Sequence, residues 1–274
     1  MRYTKMHGAG NSFVILENLH GELEGEDLQV LALRLCREET GPGADGMIVL
    51  IPDHEGADFG MLFYNADGSL GEMCGNGARC AARYGVEHGL ARNIQDIRFR
   101  ATAGLIFARR LSESEYQVRL NDPSVIDLHR QAPGDGETVD CAYVELGNPG
   151  IPHAVVAAVP ADFEDPDSLR RRGRALRCSA AFPRGANVTF ACVTGPHSVR
   201  AVTYERGVED FTLACGTGSG ATALSLLLSG RLSGDQVDVQ MPGGLLRVTI
   251  RREGDRVRDI LLAGPTAVVE EGDT

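Results

Sequence analysis

NADGSLGEMCGNGARC, Asn65 to Cys80, sets a cysteine, Cys74, directly before Gly-Asn-Gly and a run of small residues. The pattern recurs about half a chain later, where LACGTGSGA, Leu213 to Ala221, sets Cys215 before Gly-Thr-Gly. Helical segments follow both motifs. ARCAARYGVEHG (78–89) ends at a glycine suited to a C-cap, Gly89, and the almost wholly apolar GATALSLLLSG (220–230) also ends on glycine. A helix apolar all round belongs at the centre of its domain. Tyr64-Asn65 precedes the first cysteine and Tyr204-Glu205 the second, while GAGNSF (8–13) echoes GANVTF (185–190) and so sets Asn11 opposite Asn187. The repeat predicts a duplicated α+β protein of two similar lobes, each contributing half of a shared cleft.

Around the motifs, short β-branched runs such as GMIVLI (46–51), FGMLFY (59–64), NVTFACV (187–193) and LLRVTI (245–250) are bounded by Gly, Pro, Asn and Asp and read as strands. DLQVLALRLCRE (27–38) has helical apolar spacing, and the polar, Gly/Pro-rich QAPGDGET (131–138) reads as a surface loop. The crossing between lobes is expected near Leu120-Asn121-Asp122-Pro123. This gives an N-terminal lobe over 1–120 and a C-terminal lobe over 121–263. The tail, about 264–274, is left open to return to the first lobe.

The 274 residues suffice for two cores without staples. A net charge of −11 argues against nucleic acid as a partner, because phosphate binding needs clustered cations. The one basic run, RRRGRALR (170–177), reads as the solvated face of a surface helix, with a contact patch as the alternative. No apolar run reaches the roughly 20 residues of a membrane span, and MRYTKMHGAGNSF lacks the apolar centre of a signal peptide. A cytoplasmic protein with no membrane partner is therefore expected. The cysteines number seven, with no CxxC and no zinc-type spacing, so neither a disulfide framework nor a metal site is expected. Cys36, Cys80, Cys141, Cys178 and Cys192 are assigned no role.

A cysteine at a helix start sits at the positive end of the dipole among N–H groups that lack intrahelical partners, which favours its thiolate. Gly-x-Gly lets main-chain N–H groups approach a small anion, such as a substrate carboxylate. Each motif alone reads equally well as a glycine turn beside a packed cysteine. Together they suggest two bases on opposite faces of one carbon, one removing a proton and the other returning it, so that a stereocentre α to a carboxylate inverts. The helix-end donors would stabilise the enediolate in place of a pyridoxal electron sink. No cofactor is indicated.

KMHGAGNSF, GPGADG, YNADGSLGEMCGNGARC, PHAVV, GANVTF, YERGV and LACGTGSGA occur in the order found in the diaminopimelate epimerase family, and the sequence resembles that family from Lys5 to Ala221. The resemblance implies cofactor-independent epimerisation of LL- to meso-diaminopimelate in lysine and peptidoglycan supply. It also implies two lobes, each a strongly curved, mostly antiparallel sheet around a central helix, and a homodimer. Cys74 and Cys215 look like the proton-transferring pair. Asn11, Asn65 and Asn187 look like substrate-binding amides, and Gly75 with Asn76 and Gly216 with Thr217 like carboxylate cradles. Glu205 and Arg206 look like the groups that hold the ammonium and a carboxylate, and His153 and Glu205 are similar to residues that tune the cysteines. Asn65, Asn76 and Asn187 also suit turns, Arg206 an ordinary ion pair, and His153 a structural histidine.

The sequence departs from the commoner family pattern at several places. Gly10-Asn11-Ser12 stands for GND, and GNPGIPH (147–153) for GNPH. Aligned on Pro152-His153, Ile151 takes the position of a substrate-binding Asn, and Asn148 could serve only if the loop shifts. ERGVEDFTLAC is one residue longer than usual with Phe211 in place of an acid, and Ser219 replaces a common alanine. These changes keep open a related racemase, for histidine or another amino acid. Two further readings are an isomerase of the phenazine-biosynthesis type, which the cysteine pair argues against, and a protein with a reversible Cys74–Cys215 disulfide, which is expected as inactivation rather than function.

Overall fold

The computed structural model describes residues 1–71, 74–254 and 256–274. It divides into two compact units, Met1–Arg119 with Ala263–Thr274, and Leu120–Leu262.

The first unit contains β1 (Arg2–Gly8), β2 (Asn11–Glu17), α1 (Leu28–Leu35), β3 (Gly46–Ile51), β4 (Phe59–Asn65), β5 (Leu70–Gly71), α2 (Gly75–Glu87), β6 (Ile97–Ala101), β7 (Gly104–Arg110) and β8 (Glu115–Leu120), whose last residue begins the second unit. β1 and β2 are antiparallel, β2 and β3 parallel, and β3 and β4 antiparallel. β4 pairs antiparallel with β5 and parallel with β6, and β6, β7 and β8 continue antiparallel.

Both faces of these strands are covered, which explains why GMIVLI reads as an unbroken apolar run rather than an alternation. On one face Val14, Leu16, Met47 and Val49 pack with Leu31, Ala32 and Leu35 of α1. On the other, Phe13 and Ile48 lie against Gly77 of α2, where an added Cβ would come within 3.2–3.4 Å of them. Asp27 starts α1 by accepting hydrogen bonds from the N–H groups of Gln29 and Val30. Gly89, at φ 70°, lies just past the end of α2, as a C′ glycine does.

The second unit repeats this order. It contains β9 (Pro123–Gly134), β10 (Glu137–Gly147), β11 (Gly150–Ala157), α3 (Pro166–Arg177), β12 (Asn187–Gly195), β13 (Ser198–Tyr204), β14 (Phe211–Thr212), α4 (Gly216–Leu228), β15 (Gln236–Met241), β16 (Gly244–Glu253) and the beginning of β17 (Arg256–Asp273). β10 and β11 are antiparallel, β11 and β12 parallel, and β12 and β13 antiparallel. β13 pairs antiparallel with β14 and parallel with β15, and β15 with β16 antiparallel. Val188, Phe190 and Tyr204 pack with Leu169 and Leu176 of α3. Thr189 and Thr203 lie beneath Gly218 of α4, a helix buried along nearly its whole length.

Two expectations are corrected. The segment 131–138 is no loop: it closes a β9–β10 hairpin through Asp135-Gly136, at φ 47° and 83°, the geometry of a two-residue Asp-Gly turn. The echo of 8–13 in 185–190 also does not mark equivalent positions. Asn11 begins β2, whereas Asn187 begins β12, which occupies the place of β3. Gly46, the first residue of β3, is the topological counterpart of Asn187: each precedes the residue paired with a tyrosine, Met47↔Tyr64 in one unit and Val188↔Tyr204 in the other. The residues after Ala263 belong to the first unit, where β17 pairs antiparallel with β1 from Arg2↔Asp273 to Gly8↔Thr266.

Candidate active site

Both helices that follow the motifs start at the cysteine itself, earlier than the periodicity suggests. Cys74 is the N-cap of α2 with φ −128° and ψ 112°, and Cys215 the N-cap of α4 with φ −119° and ψ 108°. Two cysteines thus meet the helix at nearly the same backbone geometry. The glycines after them put no side chain over the first-turn N–H groups, the feature that lets a helix start bind a small anion.

Their side-chain surroundings differ. Cys215 is 4% exposed, and its Sγ accepts the Gly218 N–H at 3.4 Å and lies 3.8 Å from Thr217 Oγ1. Ser219 Oγ donates to the Cys215 carbonyl at 2.9 Å, which secures the first turn of α4. Beneath it, the buried Thr189 and Thr203 hydroxyls are 2.9 Å apart. Cys74 is half-buried, with its Sγ 3.7 Å from Asn11 Oδ1, towards which its S–H points.

Asn11 and Asn76 are held in a chain of defined polarity. Asn76 Nδ2 donates to Asn11 Oδ1 at 3.2 Å, and Arg79 Nη2 donates to Asn76 Oδ1 at 3.0 Å. At the other end, Asn11 Nδ2 donates to Asp45 Oδ2 at 3.0 Å, and this oxygen also accepts from the N–H and Oγ of Ser12. Guanidinium only donates and carboxylate only accepts, so Arg79 and Asp45 fix both amide orientations between them. Arg79 is fully buried. Loss of hydration draws its pKa down to about 10, opposed by the neighbouring Cys80 and Cys74, so it remains a cation at neutral pH. Its Nη1 also holds the Gly75 carbonyl at 3.2 Å.

Asn65 does not join this group through the contacts it makes. Its Nδ2 donates to Ser69 Oγ at 2.9 Å, and its backbone closes the 65–69 turn. In the second unit, Asn187 Oδ1 accepts the Arg206 N–H at 2.8 Å, and the exposed Arg206 guanidinium donates to the Arg184 carbonyl. Glu205 accepts a short hydrogen bond from the Thr212 hydroxyl. His153 lies beside Asn187 in the parallel β11–β12 pair. Burial, then the nearby Arg206 charge, lowers its pKa to about 3, so its ring is neutral. Ile151 is half-buried in β11, while Asn148 is exposed in the Gly147–Gly150 hairpin turn.

Burial raises the thiols of Cys36, Cys80 and Cys141 to about 12, which leaves them protonated at neutral pH. Sequence reasoning misses Arg79, Asp45 and the Thr189–Thr203 pair. Arg79 is discoverable, because positions three and four after Asn76 and Gly75 share a helix face; the threonine pair depends on strand register and is not.

Comparison with solved structures shows the same α+β architecture in proteins of low sequence similarity. A probable proline racemase from Agrobacterium radiobacter K84 matches with a TM-score of 0.72 at 17% identity, covering 100% of this chain and 92% of that one. A phenazine biosynthesis protein of the PhzF family from Bacillus anthracis matches with a TM-score of 0.76 at 14% identity, covering 99% and 98%. Sequence narrows this further. The profile of the family described as diaminopimelate epimerase matches residues 3–125 and 146–268. The diaminopimelate epimerase of Hydrogenobaculum sp. (strain Y04AAS1) is 37% identical over 281 aligned positions, covering 99% of this chain and 98% of that protein. In class the protein is thus an isomerase, an epimerase with the α+β fold just described. The chain belongs to the diaminopimelate epimerase family.

Proposed function

We propose that this protein epimerises LL-diaminopimelate to meso-diaminopimelate without a cofactor, with Cys74 and Cys215 as the proton-transferring pair. The observation that carries this reading is the repeated N-cap: two helices begin at nearly the same backbone angles, each with a cysteine followed by Gly-x-Gly. The names of the relatives support the substrate.

In the forward direction, one cysteine enters as thiolate and takes the α-proton, so an S–H bond forms as the C–H bond breaks. The electron pair spreads into the carboxylate as an enediolate. In this reading, N–H groups at Gly75-Asn76 and Gly216-Thr217 hold its oxygens where charge develops. The other cysteine delivers its proton to the opposite face and becomes the thiolate. Each turnover therefore exchanges the protonation of the pair, and the reverse reaction uses the same groups with roles reversed. Asn11, Asn65 and Asn187 bind substrate polar groups, while Glu205 and Arg206 take the ammonium and a carboxylate. His153, being neutral, tunes the cysteines by its dipole rather than by charge. The product would enter lysine and peptidoglycan synthesis.

The position of Ile151 favours a second reading, an epimerase or racemase for an amino acid without a polar distal group. The test is α-carbon deuterium exchange in D2O with LL-diaminopimelate beside simple L-amino acids, histidine included. Exchange with diaminopimelate is expected; exchange restricted to a monocarboxylic amino acid rejects the substrate assignment. Cys74→Ala and Cys215→Ala should each abolish epimerisation, by at least about 1000-fold. Cys36→Ala should stay near wild type. Turnover in either of the first two variants at the wild-type rate would end the two-cysteine scheme.

A further inference from the structure

In the arginine run of α3, Arg171 and Arg174 lie on a solvated face, as expected, but Arg170 and Arg177 grip the loop that carries Glu205 and Arg206. Arg177 reaches one carboxylate oxygen of Glu209 with two nitrogens, Nε at 3.0 Å and Nη2 at 2.9 Å. The same oxygen accepts the Gly207 N–H at 3.0 Å. Arg170 Nε donates to Asp210 Oδ1 at 2.7 Å. The loop is closed within itself by Glu209 N to Glu205 O at 2.8 Å and Glu205 N to Asp210 O at 3.0 Å. Glu209 has φ 59°, a left-handed conformation that a side-chain-bearing residue holds only when its surroundings impose it. The paired guanidinium is such a constraint.

Arg177 also touches the turn before Asn187. A Cβ on Gly185, itself at φ 67°, would lie only 2.1 Å from Arg177 Nη1, and the Arg177 carbonyl accepts the Ala186 N–H at 3.3 Å. One residue therefore joins the two segments that bear Asn187 on one side and Glu205 and Arg206 on the other. Those segments meet again where Asn187 Oδ1 accepts the Arg206 N–H.

We propose that Arg177, seconded by Arg170, is a positioning residue: through Glu209 and the Gly185 turn it holds Glu205, Arg206 and Asn187 in their substrate-binding arrangement. The inference rests on the proposed role of these three residues in binding the substrate. Lysine should replace Arg177 poorly, because a single ammonium cannot bring two nitrogens onto the Glu209 oxygen.

The test compares full-length wild type with Arg177→Met, Arg177→Lys, Glu209→Gln and the reversed pair R177E/E209R, with Arg171→Met as a control on the exposed side of α3. Steady-state kinetics use LL-diaminopimelate, and amide hydrogen exchange of residues 205–210 is followed without substrate. Arg177→Met should raise KM about tenfold with kcat changed less than about threefold, the signature of misplaced binding groups. The loop should exchange faster in parallel. The reversed pair should recover most of the loss, and Arg171→Met should match wild type. Wild-type KM in Arg177→Met overturns the proposal whatever the exchange shows, and unchanged loop exchange in that variant overturns it as well. If wild type fails to turn over diaminopimelate, the substrate reading falls instead, and the exchange data alone decide whether Arg177 orders the loop.

Discussion

His153 shows how one buried residue makes stability dependent on pH. Neither ring nitrogen has a hydrogen-bond partner among the described residues, and burial lowers its pKa from 6.5 to about 3. In the unfolded chain the ring takes up a proton near its ordinary pKa, whereas in the folded protein it resists. Between those values the unfolded state binds more protons, so the folded protein loses stability as pH falls from 6.5 towards about 3. Above that range the effect is absent. One proton corresponds to a slope of at most about 1.4 kcal/mol per pH unit. Urea unfolding at several pH values should therefore show a shallower acid limb in His153→Leu than in wild type. An identical limb would mean that the ring already carries its proton when folded.

At the scale of the element, the helix starts decide what the cysteines can do. The sequence repeat CGNG and CGTG is faithfully repeated in backbone, yet the contacts diverge: one sulfur faces an amide oxygen, the other a main-chain N–H. The first turn of α4 leaves no spare volume. A Cβ at Gly218 would lie 3.0 Å from Cys215 Sγ and 3.1 Å from both Thr189 Oγ1 and Thr203 Oγ1. Two of these atoms belong to rigid β-branched side chains on neighbouring strands, so the sulfur has to give way. Gly218→Ala should cost about 1–3 kcal/mol in stability, as overpacking does. It should also cut turnover at least about tenfold by displacing Cys215. Thermal unfolding and the epimerisation assay measure the two effects; normal turnover with a displaced melting point would separate Cys215 geometry from this glycine.

At the scale of the molecule, the chain's last segment is a structural part of the unit where the chain began. Residues after Ala263 supply β1 with its second antiparallel neighbour, and Tyr3 donates to Glu270 while the N-terminal ammonium holds the Thr274 carbonyl at 2.8 Å. Ending the chain at Ala263 would expose a row of unpaired strand groups on β1, a template for association. Such a truncation should unfold at lower temperature than wild type and scatter light at concentrations where wild type stays clear. Unfolding at the wild-type temperature would show the segment to be dispensable. No helix among the described residues is long and apolar enough to cross a membrane.

The sequence by itself determined the duplicated plan, the two central helices and the residues heading them, because glycine punctuation, apolar periodicity and a repeated motif are local signals. Its reading of 131–138 failed because Asp-Gly in a hairpin and Asp-Gly in a loop look alike until the partner strand is known. The pairing of Asn11 with Asn187 failed because similar short strings occupy different strands of the repeat. Only the tertiary structure decided the polarity of the Asn76–Asn11 chain, the threonine pair under Cys215, the neutral state of His153 and the grip of α3 on the Glu205 loop. Each of these depends on strand register, burial or the meeting of residues far apart in the chain, and those quantities exist only once the strands have paired and water has been excluded.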